Sequence, residues 1–430
     1  MEKLVIKNIT ENANGTVGQY PKAQGIGQVE GLKPGICSIT YGMDVAKFKL
    51  VYPAYLSADE TIERFNASQY FDIETLFSIF ELNKEGELVV IDKPTLESQR
   101  GVISEVVKRA TLNLLQGKGL MKVSLPARLF NPISSHEGIC KFLSCLDNLK
   151  MAAQAANPLE RFQHVIGYFV GGFMISPAVK KPFNSLIGDT FNGYFADGSH
   201  VFVEFINHDP PIDAFILENP KYGFKVYGKL ELAPKLGANE IKICFKGLVN
   251  AEIKGEKFHG QIASFVNRGL LLGQLKVAVE DAFYFYYPSQ KMKSIIKIGK
   301  DKKHDLIRGG IYEAPHPVTF SNDKFASTLF KTNRLSKFKD VKCLSVATGT
   351  IFNALAFDGK EIISRKSNFY KAQVPVAPPL PSDFRFRDDI LYFWRGNYEA
   401  WDQWKLKLED INREWRKVKA KVKKSLPKQK

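Results

Sequence analysis

The sequence is poor in cysteine. Five occur in 430 residues, at Cys37, Cys140, Cys145, Cys244 and Cys343, an odd and scattered set with no C-x-x-C pair. That spacing excludes a disulfide framework and a paired-cysteine zinc site, and it predicts a reducing compartment. No apolar h-region follows Met1-Glu2-Lys3-Leu4-Val5, so secretion is not expected and the N-x-[ST] sequons at Asn8, Asn14 and Asn66 carry no weight. Long hydrophobic runs are also missing. The longest apolar stretch, residues 162–179, is interrupted by His164, glycines and Pro177 and is too short to span a bilayer. These absences together predict a cytoplasmic chain.

Catalytic signatures are absent too. There is no H-E-x-x-H, no G-x-x-x-x-G-K-[ST] and no G-x-S-x-G, and Gly25, Gly27 and Gly31 miss the dinucleotide spacing by one residue. The seven histidines are dispersed, none at ligand spacing on a helix. No metal, no organic cofactor and no enzymatic activity are expected.

What is present is an ordinary globular composition, 44% hydrophobic and 25% charged, with an uneven surplus of positive charge. Sixty-one basic residues against forty-five acidic ones give +16, and residues 413–430 hold nine Lys/Arg and one Glu. A tail of this kind suits an anionic membrane surface or a nucleic acid, or serves solubility alone.

Hydrophobic periodicity divides the chain. Residues 1–95 show no interpretable pattern. Ile103, Val106, Val107, Ala110 and Leu114 recur at helical spacing, which predicts an amphipathic helix over 101–116. Between about 200 and 300 the period becomes two. Phe224, Val226, Leu230 and Leu232 alternate with Lys225, Tyr227, Lys229 and Glu231, and after a turn through Pro234 and Gly237 the pattern resumes at Ile241, Ile243 and Phe245. That is an antiparallel hairpin. Further strands at 201–206, 283–287 and 295–298 predict a meandering sheet or barrel, and the lack of βαβ alternation excludes a doubly wound fold. Trp401, Trp404, Leu408, Ile411 and Trp415 fall at 3-4-3-4 spacing, flanked by Lys405, Glu409, Arg413 and Arg416. This predicts a long carboxy-terminal helix.

Three segments resemble the lipid-transfer domain of the oxysterol-binding-protein-related family. Lys181-Pro182-Phe183-Asn184-Ser185-Leu186-Ile187-Gly188-Asp189-Thr190-Phe191 is similar to K-P-F-N-P-x-x-G-E-T-F. Residues 204–215, read E-F-I-N-H-D-P-P-I-D-A-F, are a variant of E-Q-V-S-H-H-P-P-[IV]-S-A-F. Residues 380–413 resemble P-x-D-x-R-x-R-x-D followed by K-x-x-L-E-x-x-x-R, with Lys405, Leu408, Glu409 and Arg413 at the motif positions. Gly117-Lys118-Gly119-Leu120 and Ser124-Leu125-Pro126 are similar to the family's entry to the domain, so the resemblance covers 96–430 and leaves 1–95 outside.

The resemblance implies an α+β, mainly β fold. Its parts would be an incomplete antiparallel barrel over about 180–350 around a lipid tunnel, a lid helix over 101–116 and flanking helices over 388–424. It implies binding of one sterol or phospholipid and its transfer between membranes, in exchange for phosphatidylinositol 4-phosphate in many members. The alternatives are a lipid sensor that does not transfer, and a nucleic-acid binder using the basic tail. By resemblance Lys181, Asn184, His208, Lys405, Glu409 and Arg413 hold the head group. Asp209 stands where the family has a second histidine. A like-charge contact with phosphate at about 4 Å costs on the order of 4 kcal/mol at an effective dielectric near 20. Either Asp209 turns away to pair with Lys or Arg, or inositol-lipid recognition is altered. The basic tail and the lid are the expected membrane contacts. Residues 69–74, Gln-Tyr-Phe-Asp-Ile-Glu, resemble the acidic two-phenylalanine motif read by endoplasmic-reticulum tethers, or are an ordinary helix start.

Overall fold

The computed structural model describes residues 77–99, 111, 115, 127–300, 303–314, 342–370, 372–373, 380, 382–384, 387–394 and 396–425. Eighteen strands form one antiparallel sheet, and a separate parallel pair joins Phe130–Ser134 to Lys181–Phe183. The sheet meanders from Thr190–Phe195 through His200–His208, Pro211–Asn219 and Phe224–Leu236 to Glu240–Lys246. It ends at Ala354–Phe357 and Lys360–Ser364. Among the described residues no pairing joins Lys360–Ser364 to Thr190–Phe195, so the barrel stays open. The short strand Ala372–Gln373 pairs with Thr190–Phe195, so the chain crosses that seam within a few residues.

The expected hairpin forms, with its turn at residues 237–239 instead of at Pro234. Pro234 lies inside the strand, opposite Ile243. Two faces follow from the register. Leu232, Pro234 and Leu236 stand across from Phe245, Ile243 and Ile241, and Ile243 stands across from Phe265. The opposite face pairs Glu231 with Lys246 and Lys235 with Lys242. The apolar face is therefore the concave one.

Into this concavity runs the helix Pro158–Met174. Asn157 caps it by accepting from the Leu159 amide, Pro158 occupies the first turn, and every residue from Phe162 to Met174 is buried. The stretch set aside above as a membrane span is thus a core helix. No helix among the described residues is long and apolar enough to cross a membrane. Phe173 stacks on Phe265 at 4.6 Å and meets Phe283 edge-on at 4.9 Å, while Phe169 stacks on Phe285 at 5.5 Å. Gly172 permits the approach of a neighbouring helix: a Cβ there would lie 2.3 Å from the Phe142 carbonyl oxygen. Beyond the aromatic cluster, Leu232, Pro234, Leu236, Ile241, Ile243 and Phe245 are only half-buried. They leave a half-buried apolar face toward the hairpin's far end.

Strands Phe80–Leu82 and Leu88–Val90 belong to the sheet, the second through pairing with Lys276–Glu280. Glu87 in this hairpin is tied to Arg268 and Lys276. The lid residues Ile103, Val106, Val107, Ala110 and Leu114 lie outside the described residues, as do residues 69–74. The carboxy-terminal helices appear as expected, at Asp388–Trp394 and Tyr398–Ser425.

Candidate functional site

Five of the six expected head-group residues converge. A narrow cleft is walled by Asn184, His208, Lys405 and Glu409, together with Phe130, Phe183, Arg387, Trp401 and Asn412. Lys181 adjoins it, donating from Nζ to Asn184 Oδ1. That bond sets the amide so that its NH2 group is the remaining donor.

Arg413 is not among them. It is exposed and pairs with Asp410 one turn earlier, at 2.7 Å. The cause is helical phase: at 100° per residue, position 413 points about 80° away from Lys405, whereas 412 and 416 fall within about 20° of it. Asn412 and Arg416 therefore occupy the face that motif matching gave to Arg413.

The two lysines sit in an unusual environment. Lys405 is buried, its Nζ 5.3 Å from the Phe130 ring centre and 5.2 Å from that of Trp401. Lys181 Nζ lies 5.4 Å from the same Phe130 ring. Ring faces attract cations but do not neutralise them. Burial, then the neighbouring Lys405, pulls the Lys181 ammonium down to about 8, with Glu409 opposing. Burial likewise lowers Lys405, against Glu409 and Asp402. His208 is pushed down to about 4 by burial and by Arg416, so it is a neutral imidazole at pH 7, able to donate one N–H.

The other cations beside the cleft are already matched. Arg387 forks onto Asp389 with 2.9 and 2.7 Å bonds and reaches Asp189 at 2.7 Å and the Asn184 carbonyl at 2.9 Å. Arg416 donates to Asp209 at 3.1 Å. Asp209 is thus paired with an arginine. Lys181 and Lys405 share Glu409 there, and Asp402 also acts on Lys405.

The loop bearing Asn184 is fastened from behind. Asp189 accepts from the Leu186 amide at 2.7 Å, and Asn412 bridges the Ser185 carbonyl and the Ile187 amide at 3.2 Å each. Asp189, which stands where the family motif has glutamate, is therefore structural, a carboxylate for Arg387. Arg387 stood in the third motif without a role, Asn412 and Trp401 were readable only from helical phase, and Phe130 carried no signal.

An open antiparallel barrel threaded by an apolar helix, with a cationic cleft at its rim, is a ligand-enclosing fold. The family profile described as "Oxysterol-binding protein" matches residues 110–429, and the chain belongs to that family. Oxysterol-binding protein 9 of Dictyostelium discoideum is 28% identical over 352 residues, 76% of this chain and 78% of that protein. Oxysterol-binding protein-related protein 8 of Homo sapiens is 31% identical over 160 residues, 35% of this chain but 18% of the human protein. The crystal structure of the Osh3 ORD from Saccharomyces cerevisiae in complex with PI(4)P has a TM-score of 0.56 at 20% identity, covering 73% of this chain and 84% of that one. The Osh1 ORD domain in complex with ergosterol has a TM-score of 0.55 at 19% identity, covering 72% and 78%. At such identities these structures speak for the fold.

Proposed function

We propose that this chain holds a single lipid, a sterol or a phospholipid, against the apolar inner face of the open barrel and carries it between membranes. The rim cleft would take an anionic head group such as that of phosphatidylinositol 4-phosphate. The observation that carries this reading is the pair Lys181 and Lys405, both close to the Phe130 ring and both lowered by burial, at one cleft beside an apolar sheet face. A phosphomonoester brings about −1.5 to −2 charges and would relieve the repulsion between the two lysines. Asn184 and neutral His208 would donate to its oxygens, Glu409 would accept from head-group hydroxyls, and no bond is made or broken. Related structures hold PI(4)P, ergosterol and cholesterol, which supports both ligand types. The chain would work in the cytoplasm as a peripheral membrane protein, with the basic face of the last helix aiding contact. An endoplasmic-reticulum tether read through residues 69–74 remains part of the proposal.

The decisive experiment is mass spectrometry of organic extracts of the purified protein, followed by transfer assays between liposomes. A stoichiometric lipid and measurable transfer are expected. An empty protein that moves no lipid would overturn the reading, and a bound lipid without transfer would make the chain a sensor.

Asp209→Asn tests the rim. Because the Asp209–Arg416 pair is largely exposed, its loss changes stability by no more than about 1 kcal/mol. It frees Arg416 and removes a like charge beside the phosphate, so affinity for a soluble inositol phosphate is expected to rise about tenfold by calorimetry. An unchanged affinity would mean that Arg416 plays no part in the site.

A further inference from the structure

We propose that Ser185, Ser135 and Asp213 form a tether that sets the distance between Asn184 and His208, the uncharged donors of the cleft, so that Ser185 and Asp213 act in recognition as one unit. The inference rests on the head-group reading above. It makes the three positioning residues, since none of them lines the cleft.

The two ends of the tether depart from the family motifs. Ser185 stands where K-P-F-N-P has its second proline, and Asp213 where H-H-P-P-[IV]-S has its serine. In the fold they meet through a third residue. Ser135, at the start of the helix Ser135–Phe142, donates from Oγ to Asp213 Oδ1 at 3.3 Å, and its oxygen lies 2.9 Å from Ser185 Oγ. Ser135 has one hydroxyl hydrogen and gives it to Asp213, so the Ser185 hydroxyl is the donor in the second bond. The chain from Ser185 through Ser135 to Asp213 thus runs unbroken from the loop to the sheet.

What it joins gives it a role. Ser185 directly follows Asn184. Asp213 lies on the strand Pro211–Asn219, whose first residue stands opposite His208. A proline ring would fix φ at position 185 by itself, whereas a serine leaves the loop to be held by hydrogen bonds. Asn412 supplies one hold, donating to the Ser185 carbonyl at 3.2 Å and lying 3.5 Å from His208 Nδ1. The tether supplies another, from the helix at Ser135 instead of the carboxy-terminal one.

Stability alone does not account for Asp213. It is buried, with Phe205 and Leu230 as its cross-strand neighbours. Burial pushes its carboxyl up to about 7, against the Ser135 hydrogen bond and with Asp189 adding to the rise. His136 Nε2 lies 3.5 Å from the same oxygen, on a ring stacked with Phe384. A carboxyl so placed costs stability, and groups of that kind gather at functional sites. Both protonation states keep the chain closed: the carboxylate accepts from Ser135, and the acid donates to it with the direction reversed.

The test measures, by calorimetry on the full chain, affinity for glycerophosphoinositol 4-phosphate. Ser185→Ala and Asp213→Ala are each expected to weaken it roughly three- to tenfold. The double variant should bind no worse than the weaker single one, because each change breaks the same tether. Asp213→Asn keeps an acceptor for Ser135 and should recover most of the loss. Unchanged affinity in both single variants overturns the proposal, and so do losses that multiply in the double variant. A loss shared by Asp213→Asn that follows the melting temperature overturns it too, leaving the residues purely structural. If the wild-type chain binds neither the probe nor any lipid, the head-group reading falls, and the tether is read from hydrogen–deuterium exchange of the peptide covering 184–189. Exchange there should quicken in Asp213→Ala and return toward wild type in Asp213→Asn; exchange indifferent to both changes means that no tether exists.

Discussion

Arg387→Leu is expected to lower stability by about 3–5 kcal/mol, because it strands two buried carboxylates. Asp189 and Asp389 are almost fully enclosed, and the Arg387 guanidinium is the cation within bonding distance of both, at 2.7 Å each. A leucine fills the volume but leaves both carboxylates charged in a poorly solvated place, or forces them to take up protons. In thermal unfolding the loss should read as a fall of roughly 6–10 °C in the melting temperature. Adding Asp189→Asn and Asp389→Asn should recover a good part of it, since an apolar or neutral replacement of a whole buried ionic cluster is often tolerated. Arg387→Lys should not rescue: a single ammonium cannot reproduce the fork that spans Asp389, Asp189 and the Asn184 carbonyl. An unaltered melting temperature in Arg387→Leu would mean that the cluster is open to water. The same variant should also weaken head-group binding, because the loop bearing Asn184 loses its rear fastening.

Lys181→Met is expected to act in the opposite sense on the two quantities, raising stability while lowering affinity for an anionic head group by one to two orders of magnitude. The lysine's pKa in the folded chain is lowered from 10.5 to about 8, so folding disfavours its charged form. That penalty is fully present below pH 8 and is relieved as the pH rises from 8 toward 10.5, amounting to about 1–3 kcal/mol at neutral pH. Methionine keeps the stem's packing on Phe130 and removes the charge. Anion binding has the reverse dependence. It needs the ammonium, so affinity should hold up to about pH 8 and then fall by up to tenfold per unit, well below the pH at which an ordinary lysine would titrate. Calorimetry at pH 7, 8 and 9 alongside thermal melts separates the two trends. A variant that is both less stable and normal in binding would show that Lys181 is a structural cation with no part in recognition.

Much of this was legible in the chain before folding, and particular residues show why the rest was not. The hairpin at 224–246 was readable because its two faces differ in chemistry at every second position. The long final helix was readable because four turns of spacing leave no other period. Strands Phe80–Leu82 and Leu88–Val90 escaped because three residues are too few to display alternation. Lys181, Asn184, His208, Lys405 and Glu409 were named from motif positions, and the fold brings them together. Arg413, taken from the same motifs, lies off that face, because order along the chain carries no angle around the helix; Asn412 and Arg416 share the face of Lys405. The fate of Asp209 was undecidable from sequence, since its partner Arg416 lies two hundred residues away and becomes a neighbour only in three dimensions.

The walls of the cleft come from Phe130, Asn184, His208, Arg387 and the helical face from Trp401 to Asn412, nearly the full span of the described chain. A bound head group is therefore a clasp across the molecule, and at a hundred times its dissociation constant it would add about 2.7 kcal/mol to global stability. Occupied protein should resist proteolysis everywhere at once, including in strands far from the ligand. A chain still on the ribosome possesses no such clasp until Asn412 has emerged and docked.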